Sequence, residues 1–301
     1  MIIKTSFLRQ DLKNPLVLSA GILGVSHSTM IRAYNSGAAA VTTKSISIAP
    51  RQGHKNPTVI AYEKGLMNAV GLSNPGIDAF TEEIKKTRQK NIPLILNTIG
   101  DTPQEMAQVA KKGEIAGAGI IELNPSCPNV THEKPYASDP KLLKELITTV
   151  KKQVKIPVIV KLSPNVENIK TIAKAAEQAG ADGITAINTV GPGMLIDIAS
   201  KKPVLDFKTG GISGPAIRPI AVRCVYDIYE TVKIPIIGVG GITSANDAIE
   251  MMMAGATLAG IGSAIYYHDI SIFKKIANDM EIWMKDNGYK TTEELIGAAH
   301  V

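Results

Sequence analysis

Apolar residues along the chain come in two recurring kinds of short run. The first kind follows a proline: NPLVLSA at 14–20, IPLILNT at 92–98, IPVIVKL at 156–162 and IPIIGVG at 234–240. The second follows a Gly-Ala pair: SGAAAVTTK at 36–44, AGAGIIELN at 116–124, AGADGITAIN at 179–188 and AGATLAGIG at 254–262. The two kinds alternate. Each run is apolar almost throughout, as expected of a parallel strand buried on both faces. Between the runs the apolar positions recur every three to four residues instead, in TPQEMAQVAKKGEIAG, DPKLLKELITTVKKQ, VENIKTIAKAAEQAG and SANDAIEMMMAG. These read as amphipathic helices, with Thr102 or its neighbour and Ser244 as N-caps and the Gly-Ala pairs as C-terminal turns. A proline at the start of a strand is tolerated because the first N–H need not pair. The spacing from each proline to the next Gly-Ala glycine is 20 to 24 residues, enough for a strand, a helix and a turn. Eight alternating units predict an α/β fold, a (β/α)8 TIM barrel forming a single domain over residues 1–301. An open doubly wound sheet is the alternative.

Two stretches break the repeat. Residues 47–76 and 189–214 are long, rich in Gly and Pro, and lie on the connections after strands 2 and 6. In a barrel, all such connections emerge on the catalytic face, so both are expected to be active-site loops, partly folded as hairpins.

Composition narrows the class. The chain has 301 residues, 45% hydrophobic and 20% charged, as in an ordinary globular enzyme, and only 4% aromatic, so its core must be aliphatic. The formal charge of +6 is spread without a dense basic run or interleaved aromatics, which points to a lysine-rich surface and away from nucleic acid. No signal-peptide core and no 18-residue apolar run occurs, so a soluble, cytoplasmic protein without a membrane segment is expected. Two cysteines, Cys127 and Cys224, make no disulfide framework and cannot supply the four ligands of an iron–sulfur cluster. Cys224 falls in a helical pattern, IRPIAVRCVYDIYETV, and reads as packing. Cys127 is different: in ELNPSCPNV it sits between two prolines just past strand 4.

The ends of the strand runs carry the candidate chemistry. Strands 1 to 6 finish at Ser19, Lys44, Asn97, Asn124, Lys161 and Asn188, and strands 7 and 8 at the turns Gly240-Gly241 and Gly262-Ser263. The turns after strands 7 and 8 of a barrel, with the helix N-termini that follow, commonly cradle phosphate. GVGG is no dinucleotide fingerprint, since Thr243 stands where the third glycine would be, so a phosphate monoester such as FMN or a sugar phosphate fits better than NAD. Lys44 and Lys161 face the bowl, able either to form a Schiff base or to hold an anion. Asn68, Asn97, Asn124, Asn129 and Asn188 offer paired donors and acceptors, which suits a flat heterocycle with alternating C=O and N–H groups. A lyase or isomerase centred on Lys161, and a catalytically idle barrel kept for assembly, stand as alternatives.

ELNPSCPN resembles the signature of the class 1, cytosolic dihydroorotate dehydrogenases. Further blocks in the same order are similar to that family: NPLVLSAG, TTKSI, GLMNAVGLSNPG, VKLSPN, INTVGPGM, GGISGPAIRP, IIGVGGI, GIGSAI and TTEELIGA. The resemblance implies an FMN-containing barrel that oxidises dihydroorotate to orotate in pyrimidine synthesis. It makes Cys127 the base that removes the C5 proton while hydride leaves C6 for the flavin N5. It gives Asn68, Asn124, Asn129, Asn188 and Thr189 the pyrimidine ring and its carboxylate, and the segment Ala69, Val70, Gly71 and Leu72 closure over it. Lys44 would be shared by flavin and substrate. Lys161 would lie at the flavin N1/O2 edge, its charge favouring the anionic reduced form. Ser19, Ser45, Asn97, Asn124, Ile187 and Gly214 match further FMN contacts, and Gly240, Gly241, Gly262 and Ser263 the phosphate cradle. No metal site is implied. A flavoprotein acting on another dihydropyrimidine would share most of these groups.

The chain departs from the family pattern in three places. Pro125 replaces an aliphatic residue and is expected to end strand 4 early. Ser263 replaces a frequent threonine but keeps the hydroxyl. VTHEKPYASDP lacks the glycine pair common in the NAD-linked subgroup. Quinone-linked relatives carry an N-terminal extension and a serine base, unlike this chain. NPLVLSAG, GLMNAVGLSNPG and TTEELIGA resemble the NAD-linked (1B) catalytic subunit more than the fumarate-using subgroup, with fumarate the competing acceptor. That subgroup implies a partner subunit carrying FAD and the iron–sulfur cluster, around a homodimeric core.

Overall fold

The computed structural model describes residues 2–125 and 136–300. Eight parallel strands close into a barrel in sequence order: β1 (Leu16–Leu18), β2 (Ala40–Thr42), β3 (Leu94–Thr98), β4 (Ile120–Leu123), β5 (Val158–Leu162), β6 (Gly183–Ala186), β7 (Ile236–Val239) and β8 (Leu258–Ile261), with β8 pairing back to β1. The predicted TIM barrel is therefore the fold, and the open sheet is excluded by the β8–β1 pairing. Helices α1 (His27–Asn35), α2 (Ile77–Arg88), α3 (Pro103–Ala116), α4 (Pro140–Lys151), α5 (Ile169–Gln178), α6 (Arg218–Tyr229) and α7 (Ala245–Met253) each follow the strand of the same number. After β8 come the short α8 (Ala264–His268) and then α9 (Ile272–Asp286).

The local chemistry that predicts these elements is present in them. Thr102 accepts from Glu105 N at the start of α3, and Ser244 forms a capping box with Asp247 at the start of α7. Strand ends differ from the expectation by one or two residues. β2 and β6 stop two residues before Lys44 and Asn188, while β3 and β5 run one residue past Asn97 and Lys161. β4 stops at Leu123, ahead of Pro125, as its proline predicts.

Aliphatic side chains fill the space between barrel and helices. Inside the lower barrel Val17, Ala40, Ile95, Ile120, Ile159, Ile237 and Leu258 form a separate cluster. An N-terminal hairpin, Thr5–Phe7 against Gln10–Leu12, adds Phe7 and Leu12 to that cluster and plugs the barrel floor. Chemistry is thereby confined to the opposite, C-terminal rim.

The two long excursions do more than fold as separate hairpins. Val59–Tyr62 and Gly65–Asn68, after β2, join Val190–Gly193 and Gly210–Ser213, after β6, in one four-stranded antiparallel sheet. The seam pairs Leu66, Met67 and Asn68 with Ser213, Ile212 and Gly211. Met67, Ala69 and Leu205 are buried beneath it as a small core of their own. This sheet stands over the C-terminal rim and turns an open bowl into a cavity.

Candidate active site

The cavity between barrel rim and sheet has a volume of about 390 Å³, the size of a small-molecule site. Strand ends build its barrel side. Ser19, Lys44, Ser45, Asn124, Lys161, Asn188 and the turns Gly240-Gly241 and Gly262-Ser263 all line it. Ile187 joins them from the end of β6, and the excursions build the other side with Asn68, Val70, Gly71, Leu72, Thr189 and Gly214. Two expected residues do not reach the wall. Ala69 is buried, its carbonyl accepting from His54 Nδ1 at 3.2 Å, and Asn97 is buried among the strands. Cys127 and Asn129 lie outside the described residues.

The polar groups form a connected row. Asn188 Nδ2 donates to Asn124 Oδ1 (3.2 Å), and Asn124 Nδ2 donates to Ser45 Oγ (3.3 Å). Asn188 Oδ1 accepts from Thr189 N at 2.9 Å, and Asn68 Nδ2 donates to Gly211 O at 3.3 Å. Asn124 and Asn188 are thus each held at both the oxygen and the NH2 of the carboxamide, which fixes their orientation. Asn165, which the sequence reading did not single out, braces the excursion by donating to Thr189 O and accepting from Gly191 N.

Lys44 is half-buried at the rim, and burial pushes its ammonium below the ordinary lysine value. No carboxylate pairs with it among the described residues. An anionic ligand would supply the missing counter-charge. Ser19 Oγ is buried without a hydrogen-bond partner among the described residues, so the floor beside β8 holds an unmet polar group.

The turn after β8 leaves room for an anion, whereas at Gly240 and Gly241, after β7, an added Cβ would meet Ala221 Cβ at 2.6 Å and Arg218 Cβ at 2.7 Å. At Gly262 an added Cβ would meet only Ser19 Cβ, at 3.7 Å. By contrast the amides just ahead of α7 are taken: Asp247 Oδ2 accepts from Thr243 N and Ser244 N, both at 2.9 Å, and Asp247 Oδ1 pairs with Arg218 at 2.7 Å. Asp247 therefore serves to tie the turn after β7 to α6, leaving anion binding to the turn after β8.

Several wall residues were missed by the sequence reading. Val59, Leu66 and Tyr266 make an apolar mouth, with Tyr266 61% exposed. Nothing local marks them, because they come from a strand pair and a short helix outside the repeat. Cys224 behaves as expected, buried in α6 with its thiol pushed up by burial.

The chain matches the family model described as dihydroorotate dehydrogenase over residues 2–284. A protein of Methanocaldococcus jannaschii named dihydroorotate dehydrogenase B (NAD(+)), catalytic subunit, is 47% identical over 307 residues, covering 99% of this chain and 98% of its own. Proteins of the same name from Methanothermobacter thermautotrophicus and Pyrococcus abyssi are 44% and 45% identical, covering 99% and 95% of each chain.

Proposed function

The chain belongs to the dihydroorotate dehydrogenase family, and from that premise we propose that it oxidises (S)-dihydroorotate to orotate in pyrimidine biosynthesis with FMN bound in the rim cavity. The observation that carries this reading is the coincidence of two sets. The residues that the motif resemblance assigns to flavin and pyrimidine are, with few exceptions, the residues that line one cavity. Family membership removes the Lys161-centred lyase and leaves other dihydropyrimidines as the competing substrates.

The wall fits the cofactor. The Ser19 hydroxyl, without a partner among the described residues, suits a polar ring edge, the open turn at Gly262 suits a phosphate, and the apolar mouth suits an aromatic face. When bound, FMN supplies the acceptor for the hydride that leaves C6 of the substrate. The chain's own residues do the rest. Cys127 removes the C5 proton; this assignment rests on the ELNPSCPN block, with the thiolate reachable at mildly alkaline pH. Asn68, Asn124, Asn129 and Asn188 orient the pyrimidine, whose alternating carbonyls and N–H groups a carboxamide can match from either end. Lys44 binds the substrate carboxylate, and that partner raises its burial-lowered pKa back. Lys161, which lines the cavity, would stand beside the cofactor and favour its anionic reduced form. Val70, Gly71 and Leu72 exclude water from above.

The relatives' shared name, a catalytic subunit linked to NAD(+), supports a second subunit as the electron outlet. We assign FAD and an iron–sulfur cluster to that partner, since two cysteines cannot ligate a cluster on this chain. A homodimeric core and a cytoplasmic location complete the reading. Among the described residues no helix is long and apolar enough to cross a membrane.

The test is an anaerobic visible spectrum of the purified protein before and after dihydroorotate. A flavin band that bleaches on addition is expected. A band that stays would redirect the search to another dihydropyrimidine, and failure to take up FMN would overturn the redox reading.

A further inference from the structure

The segment that closes over the cavity is held in a conformation one of its residues does not favour. Gly71 and Leu72 are both left-handed, with φ of +70° and +58°. Glycine takes up this region freely, but the Cβ of a leucine crowds the following carbonyl there. Leu72 nevertheless lines the cavity. A non-glycine residue in this region persists only where its surroundings hold it.

Asn74, 7% exposed, supplies the hold. Its Nδ2 donates to Leu72 O and to Ser47 Oγ, each at 2.8 Å. Its Oδ1 accepts from Gly76 N at 2.9 Å and from Ser47 N at 3.1 Å. The main chain settles which way this carboxamide faces. Two backbone N–H groups can only donate and Leu72 O can only accept, so no side-chain protonation state enters. Among the described residues Leu72 O has no other hydrogen-bond donor.

The other end of the hold is the barrel. Ser47 lies two residues beyond Ser45 of the cavity wall, and its carbonyl accepts from Ile77 N, the first residue of α2, at 2.8 Å. The Asn74 backbone pairs with Arg51 in both directions, at 2.9 and 3.0 Å, and the Arg51 guanidinium meets Asp101, past β3, at 2.8 Å. Asn74 thereby ties the left-handed turn to the rim, although it is not itself part of the cavity wall.

We propose that Asn74 is a positioning residue for the pyrimidine substrate: through Leu72 O it holds the left-handed turn of residues 71–72 in place over the cavity. The inference rests on the reading of residues 69–72 as the segment that closes over dihydroorotate. It adds a residue that touches no ligand and acts through the backbone of one that lines the site.

Titration of the FMN-loaded, full-length chain with orotate, followed through the flavin band, tests it. Four chains are compared: the parent, Asn74→Ala, Leu72→Gly and the double variant. Asn74→Ala is expected to raise the orotate Kd about tenfold, the worth of one hydrogen bond, at unchanged FMN content. Glycine at 72 takes the left-handed turn without the Cβ penalty, so adding Asn74→Ala to Leu72→Gly should cost no more than about threefold. If Asn74→Ala does not fold, Asn74→Asp replaces it with the same rise expected. It keeps the shape and still accepts from Ser47 N and Gly76 N, but turns an acceptor toward Leu72 O. An orotate Kd within about twofold of the parent, loss of FMN in step with loss of orotate, or fully multiplying effects in the double variant would each overturn the proposal. A parent that holds FMN but binds no orotate would instead overturn the substrate reading beneath it.

Discussion

Replacing Gly71 with alanine sets two opposing effects on the segment that closes the cavity. Gly71 has φ of +70°, in the left-handed region, which costs a residue with a Cβ about 1–2 kcal/mol. The new Cβ would also lie 2.6 Å from His54 Cδ2 and 2.7 Å from His54 N. His54 is poorly placed to yield. Its N–H donates to Val70 O at 3.1 Å, its Nδ1 donates to Ala69 O at 3.2 Å, and its ring stacks on Phe207 at 4.0 Å. Overpacking of this kind adds roughly 1–3 kcal/mol. The combined penalty of about 2–5 kcal/mol falls on residues 69–72, which can relieve it by lifting away from the cavity while the barrel stays intact. The loss then shows in substrate binding, and about 2 kcal/mol is already near thirtyfold in affinity. The assay is steady-state KM and kcat for dihydroorotate, with FMN content read from the visible band. A second chain that adds His54→Ala removes the ring but not the backbone contact, and should recover part of the KM. A KM within about twofold of the parent at full FMN occupancy would refute the reasoning, because the strain would then not reach the substrate.

Three further outcomes follow from the geometry. Lys44→Met should weaken binding of orotate by about ten- to a hundredfold, the worth of a charge-assisted hydrogen bond, while stabilising the ligand-free chain at neutral pH. Burial holds the folded pKa of Lys44 below its unfolded value of 10.5, so between the two the unfolded chain carries the extra proton and parent stability rises with pH; melting curves should show the variant's advantage shrinking across that window. Asp247→Ala removes the acceptor for Thr243 N, Thr243 Oγ1 and Ser244 N and the partner of Arg218; a loss of about 3–4 kcal/mol is expected, and a melting temperature within a degree of the parent would contradict it. Cys127→Ala should slow flavin bleaching by dihydroorotate about 10²–10⁴-fold while orotate still perturbs the flavin spectrum; bleaching at the parent rate would remove Cys127 from the chemistry.

Much of this molecule is legible along the chain. The alternation of Pro-led and Gly-Ala-led runs predicts eight units because each strand is buried on both faces and each helix on one, and both periodicities are local. The strand-end residues Ser19, Lys44, Asn124, Lys161 and Asn188 meet in one cavity because barrel closure brings all eight C-terminal ends together. What stays hidden is long-range. Nothing near Leu66 or Ile212 signals that their strands pair across the cavity, since antiparallel pairing at such separation leaves no local trace. The His54–Phe207 stack is hidden for the same reason. Glu122 carried a signal that went unused: a carboxylate inside the run GIIEL contradicts an apolar strand unless it has partners within the barrel. Asn97, expected at the cavity wall, lies beneath it as one of those partners.

The sheet shared by the two excursions has a consequence for how the chain is made. Its strands Gly65–Asn68 and Gly210–Ser213 come from opposite halves of the polypeptide. During synthesis the first pair, Val59–Tyr62 with Gly65–Asn68, emerges well over a hundred residues before its neighbour. Until then it presents an open β-edge whose partner strand, Gly210–Ser213, has yet to be made. Contacts of this separation close late and slowly. Cofactor and substrate therefore meet a finished roof only after most of the barrel has been translated, and half-barrel fragments of this chain would each carry an unroofed bowl and an adhesive strand.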